Sequence, residues 1–285
     1  MANQRTVRVA FTLLELLIAV AIIGILLALL VVAIGRAREQ AMIVQSTNNL
    51  RQIVLATHQF ASFHQGQLPR LGDAKGRRVK NVTYPGEPGP SLFVQILPYL
   101  DSADAARDHK HRFQTYSLFV NPADPTGVAA GALNIPVSSY AANAEVFVDN
   151  PRLPETFLDG TSYTIAFGEH YANCNGVTFR YPIHEGHPIN HRASFADSSD
   201  VLPMTKGTPP VTMPNLRRTP VPVTVFQAAP RPSNCYGRVP QTPHTSAMIT
   251  AMGDGSIRQL APDIAIPVFW GLVTPHSGEI LNLNW

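Results

Sequence analysis

Residues 11 to 34, FTLLELLIAVAIIGILLALLVVAI, contain no Lys, Arg, Asp, Asn, Gln or Pro. As a helix rising about 1.5 Å per residue, such a run extends roughly 36 Å, enough to cross the hydrocarbon core of a bilayer with some tilt. Seventeen of its residues are Phe, Leu, Ile or Val. At about −0.3 to −0.6 kcal/mol each, they favour insertion by roughly 7 kcal/mol in total. The single acid, Glu15, costs on the order of 3 kcal/mol at mid-membrane and less near the surface. The segment is therefore expected to insert. A cleaved secretory signal describes it poorly, because that apolar core is shorter and ends at small residues. This run ends in Gly35-Arg36-Ala37-Arg38. A plain signal anchor explains the length and the leader carrying Arg5 and Arg8, but not Glu15.

Beyond the apolar run the helix is expected to continue as an amphipathic segment over residues 35–65. No Pro or Gly interrupts residues 36 to 65, and Leu50, Ile53, Val54, Thr57, Phe60 and Ala61 recur at three- and four-residue spacing. Asn48, Asn49, Arg51, Gln52 and Gln59 are assigned to the opposite, solvated side, and Gly66 and Pro69 supply a stop. His58 and His64 on this stretch are read as structural rather than as ligands. The remainder, residues 66–285, reads as a globular head rich in turns, consistent with 25 Pro and 19 Gly in the chain and with little further helix. SLFVQILPYLD (91–101) suggests a short helix closed by Pro98, and DGTSYTIAFGE (159–169) a turn leading into a strand at Tyr163–Phe167. SAMITAMGDGSIRQLA places two strand-like arms around Gly253-Asp254-Gly255, within a hairpin assigned to 244–261. Ten prolines between residues 203 and 243 argue for an extended loop there rather than paired central strands. The fold class expected is α+β, a long N-terminal helical spine on a β-rich head.

The stretch AFTLLELLIAVAIIGILLALL resembles the N-terminus of the type IV pilin and type II secretion pseudopilin family. There a short basic leader ends just before a Phe, and the fifth mature residue is Glu. Counting Phe11 as first makes Glu15 fifth. The resemblance implies a leader at residues 1–10, cleavage between Ala10 and Phe11 by a prepilin peptidase, and methylation of the new Phe11 amine. The family usually has Gly before the cut, and Ala10 is a small substitute. It also implies that Glu15 pairs with the terminal amine of a neighbouring subunit, and that residues 11–34 cross the inner (cytoplasmic) membrane once. The head then lies on the extracytoplasmic side, a placement that the balance of Arg5 and Arg8 against Arg36 and Arg38 barely addresses. STNNLRQIVLATHQF, ILPYLD, SYAANA, DGTSYTIAFGE and HTSAMITAMGDGSIRQL together resemble a prepilin-like family of unknown function. Its C-terminal signature, His, nine residues, Asp-Gly, falls on His244, Asp254 and Gly255. Strand geometry at ~3.3 Å per residue sets His244 and Asp254 around 20–30 Å apart. They are accordingly read as structural: Asp254-Gly255 as turn chemistry, and His244 as a capping or packing residue.

Chemistry elsewhere in the sequence is sparse. HEGHPINH gathers His184, Glu185, His187 and His191, with His170 and Cys174 upstream. It departs from the zinc-protease helix pattern, because the second His comes one residue early and Pro188 breaks a helix. No metal site and no cofactor are assigned, and no Walker loop or Gly-x-Ser-x-Gly elbow points to an enzyme. The net charge is +3. Removing Arg5 and Arg8 would leave +1, too little for a general nucleic-acid binder. Cys174 and Cys235 could form a disulfide if the head lies outside the cytoplasm, but their spacing does not show that they meet. The expected function is that of a pseudopilin-like structural subunit with the prepilin peptidase, other pilin-like subunits and the membrane as partners. The rival is a surface-anchored ligand- or glycan-binding module carrying a pilin-type export signal.

Overall fold

The computed structural model describes residues 12–71, 78–79, 82–83, 91–100, 115–147, 150–180, 193–196, 225–237 and 239–276. The leader, Ala10, Phe11, the 184–191 histidine cluster and residues 203–224 of the Pro-rich stretch lie outside them. In chain order the elements are α1 (Leu13–Phe63), β1 (Arg78–Val79), β2 (Val82–Thr83), α2 (Leu92–Ile96), α3 (Pro125–Ala132), β3 (Tyr140–Asn143), β4 (Ile165–Glu169), β5 (Asn173–Cys174), β6 (Val177–Thr178), β7 (Ser194–Phe195), β8 (Gln227–Ala228), β9 (Gln241–Thr242), β10 (Met248–Met252), β11 (Ile257–Leu260) and α4 (Ile266–Val273). The fold is α+β. By internal contacts the chain divides into Met1–Met42 and Ile43–Trp285.

In the first unit the described residues are helical from Leu13 onward, and none of their side chains is buried. Leu13 is 81% exposed and Val31 70%. A core helix of a soluble domain would hide such residues. Among the described residues, α1 is the helix long and apolar enough to cross a membrane. Bilayer lipid is the solvent that suits a helix greasy on every side.

The second unit is built on a five-stranded sheet ordered β11-β10-β4-β3-β7, antiparallel except for the β3–β7 pair. β4 and β10 are buried at every position, so both faces of the sheet are covered. On one face Ile53, Val54, Leu50, Phe93 and Phe119 join Tyr140, Ala142, Phe167, Ile249 and Ala251 in one core. On the other, Phe269, Trp270 and Leu272 of α4 pack with Ala141, Ile165, Met248 and Met252. The alternation Tyr140/Ala141/Ala142 is the strand period of two at work. A bulge at Ala166, where Ala251 opposes Phe167 but Met252 opposes Ile165, turns Ile165 to the α4 face.

Within this unit α1 ends where Gln65 and Gly66 enter the left-handed region (φ 55° and 83°) and the Gly66 N–H donates to Ala61 O at 2.8 Å. A side chain at Gly66 would also press on Leu153 O at 3.1 Å. The buried stripe contains Leu50, Ile53, Val54, Thr57 and Ala61 as the spacing predicts, but also Ser46 and Asn49. The solvated placement of Asn49 is thus corrected: its amide lies inside, donating to Val120 O and Tyr140 Oη. His64 stacks on Phe60 with ring centroids 3.9 Å apart, and His58 Nε2 lies 2.9 Å from Gly253 O.

The Gly253-Asp254-Gly255 turn joins β10 to β11, with Gly255 at φ +88°. Gly253 is required for a different reason, since a Cβ there would come within 2.4 Å of the Phe157 ring. Gly253→Ala is expected to destabilise the head by about 1–3 kcal/mol through overpacking, measured as a lowered urea midpoint.

Two expectations need revision. The stretch 225–243 is not merely an extended loop: β8 and β9 pair in parallel, and Phe226, Gln241 and Thr242 are buried. Helix also recurs after the spine. Asp124 caps α3 by accepting the Thr126 N–H at 2.9 Å with Pro125 in the first turn, and α4 seals the second face of the sheet.

Candidate functional site

Two acids sit where solvent does not explain them, Glu15 in the apolar segment and Glu169 in the head. Thr12 precedes the first turn of α1, and Glu15 is three residues on. The Glu15 N–H donates to Thr12 Oγ1 at 3.2 Å, while Glu15 Oε2 accepts from the Thr12 N–H at 2.9 Å and its hydroxyl at 2.8 Å. This is a capping box. It satisfies two main-chain N–H groups at a helix start and gives the carboxylate partners within its own chain. Thr-x-x-Glu preceding an apolar run is a sequence signature of that box, and it bears on Glu15 independently of any pairing with a neighbour. Ala10 and Phe11, the expected scissile pair, lie outside the described residues.

Glu169 closes β4 and is fully buried. Its Oε1 accepts from Ser46 Oγ of α1 and from Asn121 Nδ2, each at 2.7 Å. Its Oε2 accepts from Thr242 Oγ1 of β9 at 2.6 Å and from the Ile249 N–H of β10 at 3.1 Å. Four donors thus fill the roughly four lone-pair positions of a carboxylate. They come from the spine helix, the loop before α3, and two strands. Behind them stands His244, 3% exposed, its Nε2 3.7 Å from Glu169 Oε1 and without a hydrogen-bond partner. Burial pushes the Glu169 pKa up, and the positive charge available on His244, with the donors, pulls against it. Tyr140 Oη lies 3.2 Å from Ser46 Oγ, and burial raises its pKa too. All of these side chains are buried, and the carboxylate ties the spine helix, the loop before α3 and strands β9 and β10 together.

A second buried acid, Asp124, braces the neighbouring segment. Its Oδ2 accepts from Ser139 Oγ at 2.7 Å and from the Ala172 N–H at 2.8 Å. Tyr171, beside this acid, is pushed up to about 12, first by burial. His170 lies between the carbonyls of Tyr171 (2.7 Å) and Gly237 (3.0 Å), edge-on to Phe179, and burial lowers its pKa. Cys174 and Cys235 form a disulfide across 61 residues of sequence. Closing a loop of that length removes chain entropy worth about 4 kcal/mol in the unfolded state. Reduction is expected to lower unfolding stability by about 2–4 kcal/mol, read from denaturant melts with and without reductant.

The signature residues serve separate neighbours. The Asp254 carboxylate accepts from the Ser256 N–H (2.8 Å) and hydroxyl (2.6 Å), and its own N–H donates to Thr161 O. His244 faces Glu169. The packing role assigned to His244 therefore omitted a charge partner, and Glu169, Ser46, Asn121 and Thr242 were missed altogether. Among the described residues no group of three or more His, Cys, Asp or Glu is arranged to hold a metal.

Residues 35–117 match the sequence model of a family described as "Protein of unknown function (DUF1559)". The match spans less than a third of the chain, and among the described elements it covers the second half of α1, β1, β2 and α2. No curated protein and no solved structure matches the chain. The family match and the apolar helix together fit a membrane-anchored, pilin-like protein.

Proposed function

We propose that the chain is a pseudopilin-like structural subunit, cleaved and N-methylated at Phe11 by a prepilin peptidase. It assembles through its N-terminal helix with other pilin-like subunits in a type II secretion or type IV pilus-like system. The observation that carries this reading is α1 itself. Over residues 13–34 its apolar side chains are exposed on all sides, with one capped acid near the start, while its residues from Ser46 onward are built into the head. A subunit that hands its helix from lipid to a helical bundle needs such a surface, because neighbouring helices then replace lipid tails without uncovering polar groups. The disulfide supports a head outside the cytoplasm, where such bonds persist. A role in scaffolding rather than catalysis agrees with a head whose titratable cluster is sealed.

The test is cross-linking in native membranes. Ala21, exposed on the apolar stretch, is replaced by Cys and the membranes are oxidised. Subunit assembly through this helix yields disulfide-linked pairs or ladders. Monomers alone, from a position that labels readily, would count against it.

A further inference from the structure

We propose that Glu169 and His244 share one proton across a buried gap, so that the seat of the spine helix on the sheet responds to pH. The argument begins with the lining of the carboxylate. Asn121 Nδ2 and the Ile249 N–H can only donate, and they hold one position on each oxygen. The other two partners, Ser46 Oγ and Thr242 Oγ1, are hydroxyls, which donate to a carboxylate or turn to accept from a carboxylic acid. The site therefore accommodates either form of Glu169. His244 Nε2, 3.7 Å from Oε1 and lacking a hydrogen bond, stands where a positive charge would balance the ionised form. With one proton the pair is neutral, whichever member carries it. When that proton is lost, a negative charge remains in a dry site with no cation beside it.

The other ionisable groups near the pair do not supply that cation. α1 presents the neutral Ser46 and Asn49, and β10 presents a main-chain N–H. β3 brings Tyr140, a group that ionises only to an anion and that burial already holds protonated. Asp124 and Tyr171 are acids. His170, the residue after Glu169, has both ring nitrogens on the main-chain carbonyls of Tyr171 and Gly237 rather than on Glu169; both bonds at once suit only its cation, and burial works against that form.

Linkage fixes the sign. The Glu169 pKa is raised in the fold, so its contribution is fully present below the ordinary carboxylate range and is lost as pH rises through the raised folded value. Losing one bound proton multiplies the open-to-closed ratio by up to about tenfold per pH unit. The part released is the stretch of α1 that Ser46 pins to the carboxylate.

The experiment uses the full chain in detergent micelles. Side-chain carboxyl and imidazole resonances are followed from acid to mildly alkaline pH, and assigned by their loss in Glu169→Gln and His244→Gln. Amide exchange of residues 46–57 is followed in parallel, corrected for its intrinsic pH dependence. The expected result is that Glu169 and His244 move in one common step. Between the pH at which the released groups titrate and that step, protection of residues 46–57 falls by up to about tenfold per pH unit relative to β3, and above the step it levels off. In folded Glu169→Gln that fall is absent; should the variant not fold, the wild-type titration decides by itself. Independent titration of the two groups, an unresponsive His244, or pH-invariant protection of the helix would overturn the proposal.

Discussion

Glu169→Ala is expected to unfold the head or leave it barely stable. The substitution leaves the buried Ile249 N–H without its acceptor and takes from the Asn121 amide its 2.7 Å partner, leaving it Ser46 Oγ at 3.2 Å. A buried donor left unpaired costs about 1–3 kcal/mol, and removing one member of a buried charge pair about 3–5 kcal/mol. Even with partial overlap the loss is about 5 kcal/mol or more, comparable with the whole stability of many domains. Circular dichroism melts of the full chain check this, and Arg258→Ala on the less buried edge strand β11 serves as a control expected to change stability far less. A Glu169→Ala chain that melts like the wild type would show that the four bonds are dispensable. Glu169→Gln should fall in between, since an amide keeps one acceptor oxygen but sets its NH2 against a donor already in place.

The second large effect concerns Glu15, where the capping box separates two roles for one side chain. Gln at the third helical position still completes the box but carries no charge, whereas Ala does neither. Glu15→Ala is therefore expected to weaken the start of α1 by about 1 kcal/mol, and Glu15→Gln hardly at all. If the carboxylate meets the amine of an adjacent subunit in a low-dielectric setting, both variants lose that charge pair. The assembled fraction should then fall at least tenfold, because removing one member of such a pair costs several kcal/mol. Native-membrane cross-linking through the Ala21→Cys position measures it. Wild-type assembly in Glu15→Gln with a defect confined to Glu15→Ala would mean that the acid serves its own helix and nothing else.

The spine was legible because its signal is periodic. The apolar run, the stripe from Leu50 to Ala61 and the stop near Gly66 each follow from local spacing, as do the Asp-Gly turns. Asn49 and Ser46 were not legible by that route. A pattern that counts apolar residues assigns polar ones to solvent, yet these two are polar because Tyr140, Val120 and Glu169 wait for them. The Glu169 cluster was invisible for a related reason. Its donors lie 123, 48, 73 and 80 residues away in sequence, and only the closed sheet brings them together. An acid at the end of an apolar strand reads as an exposed terminus until both faces are known to be covered. By contrast Thr12-x-x-Glu15 and Asp124-Pro125 were local cap signatures in plain view. The first was overshadowed by the larger question of an acid in a membrane-length segment, and the second sat in a region read as poor in helix.

The claim beneath the functional reading is that this chain reaches its working form only after its basic leader has been removed. Intact mass and N-terminal fragment spectra of the protein drawn from its native membrane test that most directly. A chain beginning at Phe11 with a methylated amine is the predicted result, and one still beginning at Met1 or Ala2 beside an active peptidase would contradict it.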